Sequence, residues 1–141
     1  MNSSTPPVQQ SAALIVHAGR VCLVTASSGR RWILPKGTLE PGQTLAECAV
    51  MEAWEEAGIH GRAARRPLAR YEARKAGKPC VVSVFRLRVE DISDRWPERG
   101  LRRRRWVSVS QAIAEVDVPE VRKLLRGLHK RKPKPAAAAR S

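Results

Sequence analysis

Three glutamates on one predicted helix are the residues whose type and spacing best suit chemistry. Glu52, Glu55 and Glu56 are spaced i, i+3 and i+4, so their carboxylates can converge on one side of a helix. Clustered carboxylates repel one another unless a cation lies between them, and Glu47–Ile59 contains no Lys or Arg. Carboxylate oxygens are hard ligands that suit Mg²⁺ or Mn²⁺, with water and substrate phosphate completing the shell. Spacing alone leaves two interpretations open: a solvated acidic helix face and a metal site for phosphate chemistry.

Local signals predict the elements that must position these glutamates. Thr44 followed three residues later by Glu47 is a capping-box pattern, and Gly58 is placed to end the helix in the left-handed conformation. These signals predict a helix at about 44–57. Pro35–Gly42 contains two Pro and two Gly, so we expect a structured loop that leads into the helix.

The segment Gly37–Ile59 resembles the Nudix box, G-x5-E-x7-R-E-U-x-E-E-x-G-U, in which U is aliphatic. The positions in register are Gly37, Glu52, Glu55, Glu56, Gly58 and Ile59, with Ala53 at the first U. Two positions depart from the pattern: Gln43 replaces Glu and Met51 replaces Arg. In the family that Glu and Arg can pair and brace the loop against the helix. Losing both leaves no orphaned charge, so we expect the fold to tolerate the change, while activity could be reduced.

The resemblance implies a fold and a reaction. Nudix domains are α/β/α sandwiches on a mixed sheet that hydrolyse a pyrophosphate link with a divalent metal, here Mg²⁺ or Mn²⁺. Carried over by position, Glu55 and Glu56 would be metal ligands, and Glu52 would be a ligand or the base that activates water. The three glutamates are therefore the expected catalytic and metal-binding residues. In some members a carboxylate outside the box is the base, for which the candidates are Glu98, Asp94 and Glu90.

Further segments resemble one branch of the family. Arg31–Gly37 (RWILPKG), Ala53–Gly58 (AWEEAG) and Arg102–Val107 (RRRRWV) are similar to diphosphoinositol polyphosphate phosphohydrolases, whose relatives also cleave diadenosine polyphosphates. Their substrates are small and densely anionic. The residues expected to contact substrate are Lys36, Gly37, Arg31, Lys78, Arg102 and Arg104. Arg suits bidentate phosphate recognition and Lys acts as a point charge, although each cation is also compatible with an ordinary solvated side chain.

Positive charge is the strongest compositional feature of the 141-residue chain. Lys and Arg number 27 against 13 Asp and Glu, for a net charge of +14. Such a field favours polyanions, either phosphate-rich metabolites or nucleic acid. The segment 129–141 carries five cations, two Pro and an Ala run, so we expect a disordered basic tail that is solvated rather than bound to RNA. RNA binding, or hydrolysis at an RNA 5′ end, remains an alternative function.

The rest of the chain predicts a single α+β domain at 11–128 after a flexible leader at 1–10. Two apolar runs, Ala12–His17 and Val21–Ala26, suggest a hairpin. Further strand-like segments are Arg31–Leu34, Arg62–Arg74, Pro79–Glu90 and Leu101–Ser108, with Gly77 turning the chain. Ser110 and Asp117 are expected to cap two terminal helices that end at Val116 and Leu128.

Location and assembly are only weakly specified. No apolar run approaches the roughly 18 residues of a membrane span, and the first ten residues show no signal-peptide pattern. Three widely spaced cysteines (Cys22, Cys48 and Cys80) indicate buried thiols in a reducing cytoplasm. A homodimer is compatible with the resemblance. The leading hypothesis is a metal-dependent pyrophosphohydrolase, and the alternative from another class is a weakened Nudix domain that binds a nucleotide or inositol phosphate without cleaving it.

Overall fold

The computed structural model describes residues 6–130, which fold into one mixed β-sheet flanked by helices. The strands are β1 (Val8–His17), β2 (Arg20–Thr25), β3 (Trp32–Ile33), β4 (Lys36–Thr38), β5 (Ile59–Ala63), β6 (Ala69–Lys75), β7 (Lys78–Ile92) and β8 (Arg104–Ser108). The helices are α1 (Leu45–Ala57), α2 (Val109–Glu115) and α3 (Pro119–Lys130). The predicted α+β class is confirmed.

The sheet is built around β1 and β7, which run parallel from Val8 opposite Cys80 to Ile15 opposite Leu87. The strand order is β3-β2-β1-β7-β5, with β4 beside β1, β6 beside β7 and β8 beside β2, and these other pairings are antiparallel. Within β1, Ala12–Ile15 is fully buried. A strand covered on both faces needs consecutive apolar residues, which explains this run.

Two hydrophobic cores lie on opposite faces of the sheet. On one face, Ala13 and Ile15 of β1 pack with Ala49 and Ala53 of α1. On the other face, Leu14 packs in a cluster with residues of α2 and α3, including Ala112, Val121 and Leu125. The predicted α/β/α sandwich is therefore confirmed. Within residues 6–130, no helix combines the length and the apolar character that crossing a membrane requires.

Helix α1 begins and ends as its local signals predict. The Thr44 hydroxyl accepts a hydrogen bond from the Glu47 N–H at 3.0 Å, and the Glu47 carboxylate accepts one from the Thr44 N–H at 2.8 Å. Gly58 adopts φ 70°, a left-handed conformation that costs little without a Cβ. The box helix is thus fixed at both ends by its own residues.

The structure corrects the expected leader at 1–10. Val8–Gln10 already belongs to β1 and pairs with β7, and Gln10 pairs with Thr38 of β4. Gln10 falls within the expected leader, but it is buried, and its amide contacts Thr38, Lys36 and Cys80. Polar side chains that find such partners can occupy a strand interior.

Other boundaries also differ from the expectations. The loop Pro35–Gly42 contains β4, which Gly37 allows to approach α1 closely. The predicted strand Arg62–Arg74 is two strands, β5 and β6, because the segment 64–68 containing Pro67 interrupts it. Helix α2 is capped by Ser108 rather than Ser110, and ends at Glu115. Helix α3 continues through His129 and Lys130, while the rest of the predicted tail, residues 131–141, lies outside the described range.

The capping box should contribute measurably to stability. We expect Thr44→Ala to lower the free energy of unfolding by about 1 kcal/mol, because the Glu47 N–H loses its acceptor. Thr44→Ser retains the hydroxyl and is the matched control, which should stay near the wild type. Urea unfolding followed by circular dichroism measures both variants, and equal stabilities for Ala and Ser would contradict the proposed cap.

Candidate active site

Glu52 and Glu56 form the buried centre of the site. They lie one helical turn apart in the second half of α1 and are only 7% and 3% exposed. Their carboxyl groups lie within hydrogen-bonding reach of each other, an arrangement that requires a proton or a cation between them. Burying two acidic groups here lowers the stability of the fold unless neighbouring groups compensate for their charge.

The backbone of β4 packs directly on these carboxyl groups. The Lys36 N–H donates a hydrogen bond to Glu56 Oε1 at 3.1 Å. At Gly37, a Cβ would overlap the Glu52 carboxyl group, so only glycine leaves room for it. The Cys48 thiol donates to the Gly37 carbonyl at 3.5 Å and joins the helix to the same strand. The first glycine of the box thus makes room for a carboxylate rather than forming a turn.

Glu55 lies beside the buried pair, near enough to Glu52 for its charge to raise the pKa of Glu52. On an α-helix it lies about 100° around the axis from Glu56, whereas Glu52 and Glu56 lie only about 40° apart. Its side chain is more exposed and lies close enough to Glu98 and Glu40 for their charges to act on it. The predicted trio is therefore a buried pair with a neighbouring third carboxylate.

A loop between β7 and β8 brings a fourth carboxylate, Glu98, to the site. The Glu98 N–H donates to the Glu55 carbonyl at 2.9 Å. Arg102 Nε donates to Glu98 Oε1 at 2.8 Å, and its Nη2 lies 3.5 Å from Glu56 Oε2. Of the three candidate bases outside the box, Glu98 alone is joined to the buried pair, through the guanidinium of Arg102. Glu90 pairs with Arg62 at 2.8 Å on β5, and Asp94 is exposed.

The same loop is anchored to the C-terminal end of α1. Arg104 Nη1 donates to the carbonyls of Ala57 and Ser93, each at 2.8 Å, and its guanidinium lies 4.4 Å from the centroid of Trp96. The Ser93 N–H donates to the Gly58 carbonyl at 2.9 Å. Sequence reasoning missed this anchor because Arg104 is 47 residues from Ala57 in the chain, so no local pattern links the two, although a cation beside a helix C-terminus is a favourable pairing.

Burial dominates the electrostatics of the carboxylates. Burial raises the pKa of Glu56 to about 8, with the charge of Glu52 adding to the rise and Arg102 opposing it. Burial likewise raises the pKa of Glu52, as do the charges of Glu55 and Glu98. The pKa of Glu55 is raised by burial and by Glu98 and Glu40. The site favours protonated carboxyls until a cation compensates for them.

The two positions that depart from the box contact each other. Gln43 Nε2 lies 3.4 Å from Met51 Sδ, and Gln43 Oε1 accepts a hydrogen bond from the Glu40 N–H at 3.0 Å. A neutral amide and thioether therefore occupy the place where the family pattern has a Glu and an Arg. The loop and helix stay joined without a charge, as the sequence comparison with the box predicts for the fold.

The expected substrate-binding cations do not line the acidic site together. The side chain of Lys36 reaches the opposite face of the sheet, where Nζ donates to Gln10 Oε1 at 3.3 Å and burial lowers its pKa. Arg31 pairs with Asp117 at 3.7 Å, and it lines with Lys36 a cavity of about 40 Å³ beside α3. This volume is well below the roughly 300 Å³ or more that is usual for a small-molecule site.

The remaining three expected contacts, Lys78, Arg102 and Arg104, occupy other positions. Lys78 is exposed as the first residue of β7, where it lies opposite Lys75 of β6. Arg102 and Arg104 both donate to acceptors within the protein: Arg102 to Glu98 and the Thr25 carbonyl, and Arg104 to the Ala57 carbonyl. Of the six predicted contacts, Gly37, the main chain of Lys36 and the guanidinium of Arg102 adjoin the carboxylates directly.

The donor set fits a divalent cation that takes few protein ligands. Across residues 6–130, no three His, Cys, Asp or Glu side chains are arranged as a ready-made metal site. Mg²⁺ needs only one or two carboxylates, because water and phosphate oxygens complete its shell. The paired carboxyls of Glu52 and Glu56, with Glu55 and Glu98 beside them, meet that requirement.

Family comparison agrees with this geometry. The NUDIX domain profile matches residues 7–128, which is nearly all of the described range. The chain belongs to the Nudix family. Its Nudix box comprises the loop, β4 and α1 described above, with the carboxylates where the box pattern places them.

Relatives of this Nudix domain are longer proteins. It is 32% identical over 113 residues to Nudix hydrolase 12, mitochondrial, of Arabidopsis thaliana, covering 74% of this chain and 56% of the relative. It is 35% identical over 85 residues to diphosphoinositol polyphosphate phosphohydrolase 3-beta of Bos taurus, covering 59% of this chain and 51% of that relative. The chain spans about half the length of the curated relatives it matches.

A solved hydrolase structure shares the fold. The crystal structure of C. elegans Ap4A hydrolase superposes with a TM-score of 0.70 at 23% identity, covering 89% of this chain and 98% of that chain. The similarity extends across the sandwich and supports the same architecture for the sheet and its flanking helices.

The buried pair should make stability depend on pH when divalent metal is removed. The pKa of Glu56 is raised from 4.5 to about 8 in the folded protein. The folded state therefore binds more protons than the unfolded state between these two pH values. We expect the free energy of unfolding in EDTA to fall as pH rises through this window. Urea unfolding of wild type and Glu56→Gln isolates the effect, because the variant cannot release that proton. Parallel pH profiles for the two proteins would contradict the pKa shift.

Proposed function

We propose that this Nudix domain is a divalent-metal-dependent hydrolase that cleaves a pyrophosphate link in a phosphate-rich metabolite. The observation that carries the proposal is the buried pair Glu52 and Glu56 under the backbone of Gly37, with Glu55 and Glu98 alongside. Hydrolase names among the relatives support it. Burying two carboxyl groups side by side lowers the stability of the fold. Such an arrangement suits a site that receives a cation with its substrate.

Each carboxylate has a proposed role. Glu52 and Glu56 would hold Mg²⁺ or Mn²⁺, and Glu55 would contribute from the exposed side. When bound, the ion neutralises phosphate oxygens and so favours attack by water on phosphorus. We assign the general base to Glu98, because its loop places it against Glu55 and Arg102 orients its Oε1 at 2.8 Å. The Lys36 N–H keeps Glu56 directed into the site.

The substrate class follows from charge. A net charge of +14 attracts small molecules dense in phosphate. Diadenosine polyphosphates, inositol pyrophosphates and nucleoside diphosphate derivatives all meet that description. The names of the Bos taurus relative and of the C. elegans structure point to the first two groups. A panel of the three substrate classes, with product identification, distinguishes them.

Removing one buried carboxylate should abolish turnover. With Mg²⁺ or Mn²⁺ present, we expect Glu56→Gln to lower kcat by at least about 100-fold on the best substrate of the panel, because the ion loses a buried ligand. Glu90→Gln is the matched control: Glu90 pairs with Arg62 on β5, away from the site, and its activity should stay near wild type. Chromatography of the products measures both variants. Absence of turnover on every substrate in wild type, or equal losses in both variants, would refute the proposal.

A second candidate function rests on Gln43 and Met51. Their neutral contact at 3.4 Å leaves the site one carboxylate short of the box pattern. A Nudix domain altered in this way could bind a nucleotide or inositol phosphate and cleave it slowly or not at all. Calorimetry showing tight binding, beside chromatograms free of product, would favour this function over hydrolysis.

The paired reversion tests how much the two departures cost. We expect Gln43→Glu with Met51→Arg to raise kcat about tenfold, because a Glu–Arg pair restores a carboxylate near Glu55 without an orphaned charge. Either single substitution is the control and should help less or destabilise the fold. Steady-state kinetics with thermal unfolding separates these effects. An unchanged kcat in the double variant would show that the neutral pair does not limit catalysis.

Location and partners remain predictions. The three cysteines are free and buried, as expected for the reducing cytoplasm that we propose. The alternative of RNA binding depends on the basic tail, most of which lies outside the described residues. A small polyphosphorylated substrate is the proposed partner, and a homodimer stays a prediction from the resemblance.

A further inference from the structure

Arg102 is bound on three sides by acceptors from different parts of the chain. Its Nε donates to Glu98 Oε1 at 2.8 Å, its Nη1 donates to the Thr25 carbonyl at 2.9 Å, and its Nη2 lies 3.5 Å from Glu56 Oε2. The side chain is only 19% exposed. The guanidinium therefore sits between the box helix, the end of β2 and the loop that carries Glu98.

This position makes Arg102 part of the charge balance of the site. Within residues 6–130, Arg102 is the cation that forms ion pairs with Glu56 and Glu98. The cation beside the box, Lys36, has its ammonium on the other face of the sheet. Position 51 of the box, where the family pattern has an Arg, is Met51. The guanidinium that neutralises the carboxylates thus comes from outside the box.

We propose that Arg102 is a built-in counter-cation: it joins Glu56 to Glu98 in the metal-free protein and weakens the site's affinity for a divalent ion while keeping Glu98 in place for turnover. The proposal rests on the proposed function, because it concerns the same carboxylates. Arg102 acts through Glu56 and Glu98, so it is a positioning residue.

The proposal predicts two effects of opposite direction. A fixed positive charge beside Glu56 repels an incoming divalent cation, so its removal should tighten metal binding. The same removal leaves the Glu98 carboxylate without its 2.8 Å donor, so turnover should fall. A residue with a merely structural role would weaken both properties together.

Lys cannot fully replace Arg at this position. The planar guanidinium presents donors in a fixed fork and reaches three acceptors at once, whereas an ammonium is a compact point charge. Arg102→Lys therefore retains the repulsion of metal but loses part of the alignment of Glu98. This variant separates the effect of charge from that of geometry.

The decisive experiment measures metal affinity without using activity. Free Mn²⁺ is followed by electron paramagnetic resonance while Mn²⁺ is titrated into the full-length wild type, Arg102→Gln, Arg102→Lys and the control Arg62→Gln, which breaks a separate pair with Glu90. We expect the Kd for Mn²⁺ to fall about tenfold in Arg102→Gln and to stay near wild type in the other two. At saturating Mn²⁺, kcat should fall in Arg102→Gln and partly recover in Arg102→Lys.

A measurement on the wild type covers the case in which Arg102→Gln does not fold. The Arg102 Nε–H resonance, assigned by its loss in Arg102→Lys, is followed by ¹⁵N NMR during a titration with diamagnetic Mg²⁺. We expect this resonance to shift as Mg²⁺ saturates the site, because the ion competes for Glu56. A resonance unaffected at saturation would overturn the proposal.

The outcomes distinguish the two proposals. Equal or weaker Mn²⁺ binding by Arg102→Gln, with a wild type that binds Mn²⁺ and turns over substrate, overturns the role of Arg102 alone. A wild type that binds no Mn²⁺ removes both the counter-cation and the metal-dependent hydrolase.

Discussion

The structure depends on placing two carboxyl groups side by side in a nearly dry environment. Glu52 and Glu56 are almost fully buried, and such groups are costly unless something compensates for their charge. Compensation comes from the Lys36 N–H and from Arg102, while burial raises the pKa of Glu56 and so favours its protonated form. These contacts come from β4, from the loop before β8 and from α1, so the sandwich must be complete before the pair is stable.

This requirement explains features that otherwise look incidental. Gly37 lacks a side chain because the Glu52 carboxyl takes that space, and β4 can therefore lie close to α1. Arg104 joins the loop carrying Glu98 to α1, because its Nη1 donates to the Ser93 carbonyl in the loop and to the Ala57 carbonyl at the end of the helix. The ring of Trp96 packs on the same guanidinium. The second core, under α2 and α3, contributes by keeping β1, β2 and β7 in one rigid sheet behind the site.

The features that could be predicted from the sequence are those determined by residues close together in the chain. The limits of α1 follow from Thr44, Glu47 and Gly58, whose interactions span a few residues, and the resemblance of the box placed its glutamates correctly on the helix. The side of the sheet to which Lys36 points could not be predicted, because it depends on the pairing of β4 with β1. The burial of Gln10 and the partners of Arg102 likewise depend on residues up to 77 positions away in the chain.

Charge distribution links the acidic site to the basic chain. A surface with an excess of cations concentrates polyphosphates, but the same polyphosphates are repelled by Glu52, Glu55, Glu56 and Glu98 where the proposed cleavage occurs. Arg102 is a single charge and already binds Glu56 and Glu98, so it cannot neutralise both the site and the substrate. In the proposed function, a divalent ion would supply the missing positive charge at the point where these two sets of anions meet. The proposed metal dependence therefore has an electrostatic reason, because phosphate chemistry beside four carboxylates needs added positive charge, and it does not require a pre-assembled ligand set.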